Sequence, residues 1–419
     1  MVISIIGAGI GGLTTALSLH AAGFECRVFE AVRQPKPLGS GINILPHAVR
    51  ELTELGLGDA LAATGIPAVE MVHYDRFGNR IWSAARGRAA GYHWPQYSIH
   101  RGELQMILLG AVLERLGPDA VRTGLSLERF TQSDEAVQIE IRDRVSGRLT
   151  AIEADVLIGA DGIHSAVRAQ LHPHEGPPLW NGIYMWRGIT ESAPFLTGRS
   201  MIVAGSNRRA KFVAYPISRR MEEQGRAAVN WVAEVLLGSD AAVAPSSWNR
   251  ECRAESVLPH FAEWRIDWLD IPALIAGSPA IFEYPMIDRD PLPVWGRGRV
   301  TLLGDAAHPM YPVGSNGGSQ AILDARVLAW ELARTEDPVA ALVAYEEARR
   351  PPTSALVLSA RAMGPERIFA KVEARAPHGF RRIEEVLTRE ELASLDADYR
   401  RLTGSDVASL NGRPSWTVA

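Results

Sequence analysis

A chain of 419 residues, 47% hydrophobic and 22% charged, is larger than one ordinary core and has the balance of a globular enzyme built from two packed domains. Its net charge of −4 excludes strong electrostatic attraction to nucleic acid, and no apolar stretch approaches the roughly 20 residues of a membrane span. Cys26 and Cys252 stand in no CxxC pair or metal-ligand cluster, which predicts free thiols in a reducing cytosol, a cytoplasmic location and no metal site. The N-terminus has no basic n-region or cleavage site and runs straight into a strand.

That strand, Val2–Ile6, is β-branched and apolar, and Gly7-Ala8-Gly9-Ile10-Gly11-Gly12 follows it directly. Leu13, Leu17, Leu19 and their alanines then predict a helix ending near Gly23, before a second strand closes at Glu30. Strand, glycine turn, helix and acid form a dinucleotide fingerprint. Gly7 makes the sharp turn, Gly9 admits a pyrophosphate and Gly12 lets helix pack on strand. The helix N-terminus offers free amides to the phosphates, and Glu30 is placed to accept from a ribose hydroxyl.

Further along, the apolar run Val156–Ile158 delivers Gly159-Ala160-Asp161-Gly162 to a helix start. The construction repeats as Val300–Leu303, Gly304-Asp305 and Ala306-Ala307-His308-Pro309. After it, Pro312-Val313-Gly314-Ser315-Asn316-Gly317-Gly318 opens a helix over Ser319–Leu332. An Asp at such a turn can accept from a ribityl hydroxyl. Amides at the last helix start suit the flavin N1–C2=O edge, where negative charge grows on reduction. Either turn alone says little, since Gly and Asp fill turns everywhere. The three in order predict FAD.

With these motifs in place, the chain resembles the single-component FAD-dependent aromatic hydroxylases, a flavoprotein monooxygenase family, and most closely the phenazine-1-carboxylate monooxygenase branch. The closer likeness rests on Gly39–Ile44, Tyr97–Met106, Met185–Gly188 and Tyr284–Pro293. It extends over roughly residues 1–360 and is not seen beyond about Met363. The resemblance implies a Rossmann-like FAD-binding domain of the 4-hydroxybenzoate hydroxylase type. A mostly antiparallel β-sheet substrate domain would be inserted in it, with a helical tail after it. It also implies that NADH or NADPH reduces the flavin transiently. O2 then forms a C4a-hydroperoxide that hydroxylates an electron-rich aromatic or N-heteroaromatic acid, with or without loss of the carboxylate. Arg101 and Gln105 resemble flavin contacts of the family, and Ala31, Gly41 and Ile42 join the cofactor set. No side chain is assigned as catalytic, because the flavin performs the chemistry.

The motif spacing places residues 1–70, 99–172 and 283–362 in the FAD domain. Residues 71–98 and 173–282 form the substrate domain, with a tail at 363–419. Short alternating runs such as Val69–Tyr74, Lys211–Pro216 and Ala227–Val235 suit the inserted sheet. Trp186, Tyr215, Tyr284 and Pro309 are candidate pocket residues; Trp186 and Tyr215 read equally as core and strand residues. Arg187 would face opposite to Trp186, steering an acid or the nicotinamide phosphates, or meeting solvent. His308 reads as a hydrogen-bonded structural residue ahead of a catalytic base, and Pro309 and Pro312 stiffen its loop.

In the tail, apolar positions at Phe380, Ile383, Val386 and Leu387, then Leu392, Leu395, Tyr399 and Leu402, predict two short amphipathic helices. They would dock on their own chain in preference to a second copy, leaving monomer and homodimer open. Trp264-Arg265-Ile266-Asp267-Trp268 lacks the halogenase signature Trp-x-Trp-x-Ile-Pro. Two other readings remain: a FAD oxidase or dehydrogenase that uses no NAD(P)H, and a non-catalytic flavin-fold binding protein. The intact glycines speak against the second.

Overall fold

A computed structural model of the protein describes residues 1–238, 250–395 and 406–418. Its first sheet is parallel throughout, in the spatial order Val300–Leu302, Val156–Gly159, Val2–Ile6, Glu25–Glu30, Val121–Thr123. These strands read as apolar runs because helices bury them. Ile10–Ala21, Arg101–Leu116 and Gly317–Arg334 pack with them into one core. The register carries the functional consequence. Ile6 lies opposite Gly159, and Gly159 opposite Leu302. The three motifs therefore leave neighbouring strands at the same level, outside the carboxyl edge where open α/β sheets bind ligands.

A second sheet of eight strands runs Arg250–Cys252, Ile281–Asp288, Leu179–Ser192, Ala227–Leu236, Ala210–Pro216, Ser200–Gly205, Glu70–Tyr74, Arg80–Ala85. Its pairs are antiparallel except Ser200–Gly205 with Glu70–Tyr74. The strand Ile281–Asp288 belongs to it over its whole length, so this sheet runs past the expected boundary at residue 282. A small sheet of Gly41–Ile44, Gln96–His100 and Ile66–Ala68 lies beside the parallel sheet's motifs, and Leu125–Gln132, Val137–Asp143 and Leu149–Ala154 form another.

Side-chain alternation gives the large sheet two faces. The back face carries Phe212, Trp231 and Ala233 and is covered by Val257, Phe261, Trp264 and the helix Ile271–Ala276. The front face carries Arg187, Tyr215, Asn230 and Val232, in register across strands.

The long helix Pro338–Ala362 ends at Met363, a non-glycine residue in the left-handed region (φ 49°) that turns the chain into the helix Gly364–Arg375. That helix lies ahead of both expected ones. Ile383–Glu385 forms only a single 3-10 turn, and residues 389–395 are helical. Tyr399 and Leu402 lie outside the described residues. The tail docks on its own chain: Ile368, Phe369, Val372, Leu387 and Leu395 cluster with Met71, Met201, Val203 and Tyr215 of the large sheet.

Candidate active site

The glycines of the first motif divide the labour of the turn. Gly7 has φ +103°, and a Cβ there would lie 2.5 Å from the Ala160 carbonyl oxygen. One on Gly12 would lie 1.9 Å from the Gly7 oxygen, and one on Gly11 would lie 2.7 Å from Leu303 Cδ2. Gly7 and Gly11 are thus required by packing against the second and third motifs, and Gly12 by packing within the first. Gly9 is different: a Cβ there meets nothing within 4 Å, so its α-carbon faces open space. The helix that follows has no side-chain cap and no acid in its first turn. Its free amides, joined to that open space, fit the pyrophosphate of FAD.

Two expected cofactor contacts also brace this loop. Glu30 accepts from the Ala8 amide at 2.8 Å and, past Ala31, from Val32 at 2.7 Å. Gln105 Nε2 donates to the Ala8 carbonyl at 2.7 Å. At the second motif, the Asp161 carboxylate bonds Ser165 Oγ and accepts from the Ala166 amide at 2.7 Å. It takes up the first free amides of the short helix Ala166–Leu171, whose N-cap is Ser165. Burial raises its pKa, opposed by those hydrogen bonds. Asp305 is exposed, and its Oδ1 stands 3.7 Å from where a Gly317 Cβ would be.

Gly314 and Ser315 both have positive φ (78° and 59°), which turns the chain into Asn316 and the helix Gly317–Arg334. This helix start also lacks a side-chain cap and an acid. A Cβ on Gly318 would press Ile42 Cδ1 at 2.8 Å, so the Gly41–Ile44 strand lies against it. Ile10 Cδ1 is 4.0 Å from the same point.

A buried network holds this wall. His308 Nε2 lies 2.5 Å from Asp324 Oδ2, which also accepts from the Gly304 amide at 3.1 Å. Arg349 Nε donates to Asp324 Oδ1 at 2.7 Å. Burial alone would raise the Asp324 pKa; His308 and Arg349 outweigh it and hold it low. His308 is thus a brace for the third motif, and buried Pro309 follows it. Arg168 is a second brace that sequence reasoning missed. Its Nη1 donates to the Ala306 and Ala307 carbonyls, each at 2.9 Å, and its Nε to Glu175 at 2.7 Å.

The front face of the large sheet requires one correction. Trp186 does not line the front face. It lies in the back core, 5% exposed, stacked on His260 at 5.6 Å between ring centres. Strand alternation turns its neighbour Arg187 to the front, 5.5 Å above the Tyr284 ring. The Arg187 Nε is buried and has no hydrogen-bond partner. Burial pushes the Tyr215 phenol up to about 12, with Arg187 pulling the other way. Tyr284 is raised by burial as well, against the charges of Arg187 and the exposed Arg101.

Arg101 opens its helix against the loop before Gly41, its amide donating to the Ser40 carbonyl at 3.0 Å. Asn230, also missed, bridges the front face to the same loop, its Oδ1 accepting from the Gly41 amide at 2.6 Å. Tyr311 and Val313 approach from the third motif and pack with Met185 and Val232. Among the described residues there is no cluster able to hold a metal ion, and no helix is long and apolar enough to cross a membrane.

Comparison with known proteins agrees with this architecture. The family described as FAD binding domain matches residues 1–234 and 291–360. The chain is 53% identical over 361 residues to phenazine 1,6-dicarboxylic acid hydroxylase PhzS of Lysobacter antibioticus, covering 86% of this chain and 89% of that protein. It is 34% identical to 3-amino-4-hydroxybenzoate 2-monooxygenase PtnB3 of Streptomyces platensis, covering 83% and 84%. Among solved structures, Klebsiella pneumoniae HpxO complexed with FAD and uric acid superposes with a TM-score of 0.73 at 27% identity, covering 98% of this chain and 95% of that one. A salicylate hydroxylase substrate complex, at 23% identity and TM-score 0.75, covers 99% and 98% and shares the fold. The chain belongs to the FAD-binding-domain family and is an FAD-dependent aromatic monooxygenase.

Proposed function

We propose that the substrate is a planar N-heteroaromatic carboxylic acid, bound between the front face of the large sheet and the motif-bearing edge of the parallel sheet. The observation that carries this reading is Arg187, a cation with a buried unpartnered Nε on that face, set over Tyr284 and beside Tyr215. A buried guanidinium donor without an acceptor is costly, and a carboxylate satisfies it with charge-assisted hydrogen bonds. The relative PhzS, named as a hydroxylase of phenazine 1,6-dicarboxylic acid, supports the same chemistry.

The bound FAD, reduced by NADH or NADPH, supplies the oxygen chemistry, with one atom of O2 entering the ring and the other leaving as water. The chain's residues bind and orient. Amides at Gly9–Gly12 and at Gly317–Gly318 hold the anionic parts of the cofactor, with Glu30 and Asp305 as hydroxyl acceptors. The braced His308-Pro309 wall and the apolar Tyr311, Met185 and Val232 keep water from the ring. Tyr215, neutral at physiological pH, can donate its phenol proton to a ring nitrogen or oxygen.

The experiment is to screen one-ring and fused-ring aromatic acids for accelerated NAD(P)H consumption under ¹⁸O2. Arg187→Met should raise KM for a responsive acid by roughly 10–100-fold, and Arg187→Lys by less. An unchanged KM in Arg187→Met, or label drawn from water, would overturn the reading.

A further inference from the structure

The matched region of the family ends at residue 360, yet the chain continues onto the face of the sheet that carries Tyr215 and Arg187. We propose that the tail helix Gly364–Arg375 is the closing side wall of the substrate site, excluding water and limiting the length of ring system admitted. This rests on the substrate position proposed above.

Three observations support it. Met363, at the left-handed turn, packs against the cluster of Met185, Val232 and Tyr311, on which Tyr284 and Val313 also lie. From there the helix lays Ile368 and Phe369 into the cluster that contains Tyr215, with Ile189 and Val213 packed against it. Phe369 stacks flat on His73, ring centres 4.2 Å apart and 6° from parallel. Third, the helix is latched by buried charge. Glu366 Oε1 lies 2.9 Å from Lys211 Nζ, itself 2.9 Å from Glu234 Oε2, with all three side chains at most 11% exposed. The second Glu366 oxygen accepts from the Asn207 amide at 3.0 Å, and Ser206 Oγ donates to Glu373 at 2.6 Å. A buried triad fixes one geometry, because displacing Glu366 strands the Lys211 ammonium with half its partners.

The test uses FAD-loaded full-length protein and two kinds of variant. Phe369→Ala removes wall surface. Glu366→Ala releases the latch, while Glu366→Gln can still accept from Asn207 and leaves the Lys211–Glu234 pair neutral. The first readout is iodide quenching of flavin fluorescence, which needs no substrate. The second is hydrogen peroxide released per NAD(P)H consumed, together with KM for three-ring against one-ring acids. Phe369→Ala and Glu366→Ala should raise quenching and the peroxide fraction, by about tenfold for the latter, and narrow the KM difference between ring sizes. Glu366→Gln should restore most of both. Quenching unchanged in both alanine variants would overturn the wall. Increased quenching with no aromatic acid accelerating NAD(P)H consumption in the unaltered protein would leave the wall standing and sink the substrate reading.

Discussion

Asn230 accepts from the amide of Gly41 at 2.6 Å across 189 residues, joining the large sheet to the loop beside the glycine-opened helix. Because a backbone N–H occupies the amide oxygen, the assignment of oxygen and nitrogen is fixed, and the buried Nδ2 is left without a partner. A Cβ on Gly41 would press Asn230 Cγ at 2.7 Å, so the contact is also a steric one. Asn230→Leu strands the Gly41 amide and should destabilise the holoprotein by about 1–3 kcal/mol. The thermal midpoint should fall and the bound flavin's absorbance spectrum should shift. Asn230→Asp, which keeps an acceptor, should preserve the spectrum better. Identical spectra in both variants would show that the loop is held by other contacts.

Gly9 and Gly12 should respond in opposite ways to the same substitution. Gly9 has extended backbone (φ −75°, ψ −177°) and free space around its α-carbon. Gly9→Val should therefore fold and stay soluble while losing FAD, its side chain filling the pyrophosphate's approach. A Cβ on Gly12 lies 1.9 Å from the Gly7 oxygen, so Gly12→Val should impair folding itself. FAD per chain and circular dichroism separate the outcomes. A yellow Gly9→Val protein with full occupancy would contradict the placement of the phosphates.

Acid should weaken the fold well above the carboxylate range. Burial, reinforced by Arg349 and Arg413, pushes His47 down to about 3. Burial likewise holds His73 well below its ordinary value. An unfolded chain takes up these protons as pH falls below about 6.5, whereas the folded chain refuses them until far lower. Stability is therefore complete above about pH 6.5 and declines as pH falls toward the folded value. For His47 alone the loss between pH 6.5 and 5 is about 2 kcal/mol. Urea midpoints at pH 7, 6 and 5 should show the decline, and His47→Gln should flatten it.

Neither thiol should react in the folded protein. Burial, then Glu25, pushes Cys26 up to about 12, and burial, then Glu283, pushes Cys252 up to about 11. At pH 8 the thiolate fractions are so small that alkylation should be slower than for free cysteine by about 10²-fold at Cys252 and about 10³-fold at Cys26. Mass spectrometry after iodoacetamide should find both unmodified until denaturant is added. Rapid labelling of Cys26 would mean that its strand opens readily.

The cofactor motifs were legible because their chemistry is local. A strand end, a glycine with positive φ and a helix start are written in consecutive residues, and sheet register then aligned the three turns. The front face of the large sheet was less legible. Strand alternation showed that Trp186 and Arg187 point apart, but which one reaches the front face depends on how the sheets pack, and the aromatic went to the back core. Asn230 was visible as a polar residue in the apolar run Ala227–Leu236, though its partner lies 189 residues away. Asp324 and Arg349 sit on separate helices and looked like ordinary helix charges until His308 joined them. The tail helix hid for a similar reason: its short stripe of Ile368, Phe369 and Val372 gains meaning only against Met71 and Met201.

The strand order of the parallel sheet also dictates how the protein is born. The earliest of its strands in the chain, Val2–Ile6, is the centre of that sheet, and its neighbour Val156–Gly159 is flanked in turn by Val300–Leu302. The glycine loop thus leaves the ribosome long before the partners that enclose it. Pairings between strands so distant in sequence close slowly, leaving apolar edges open to aggregation meanwhile. Even then the helix Pro46–Glu54 waits for a segment more than 350 residues downstream, since Glu51 pairs with Arg413 and Glu54 accepts from Ser415 at 2.7 Å. Refolding should therefore be slow and, because FAD binds only the closed form, its yield should rise with added FAD.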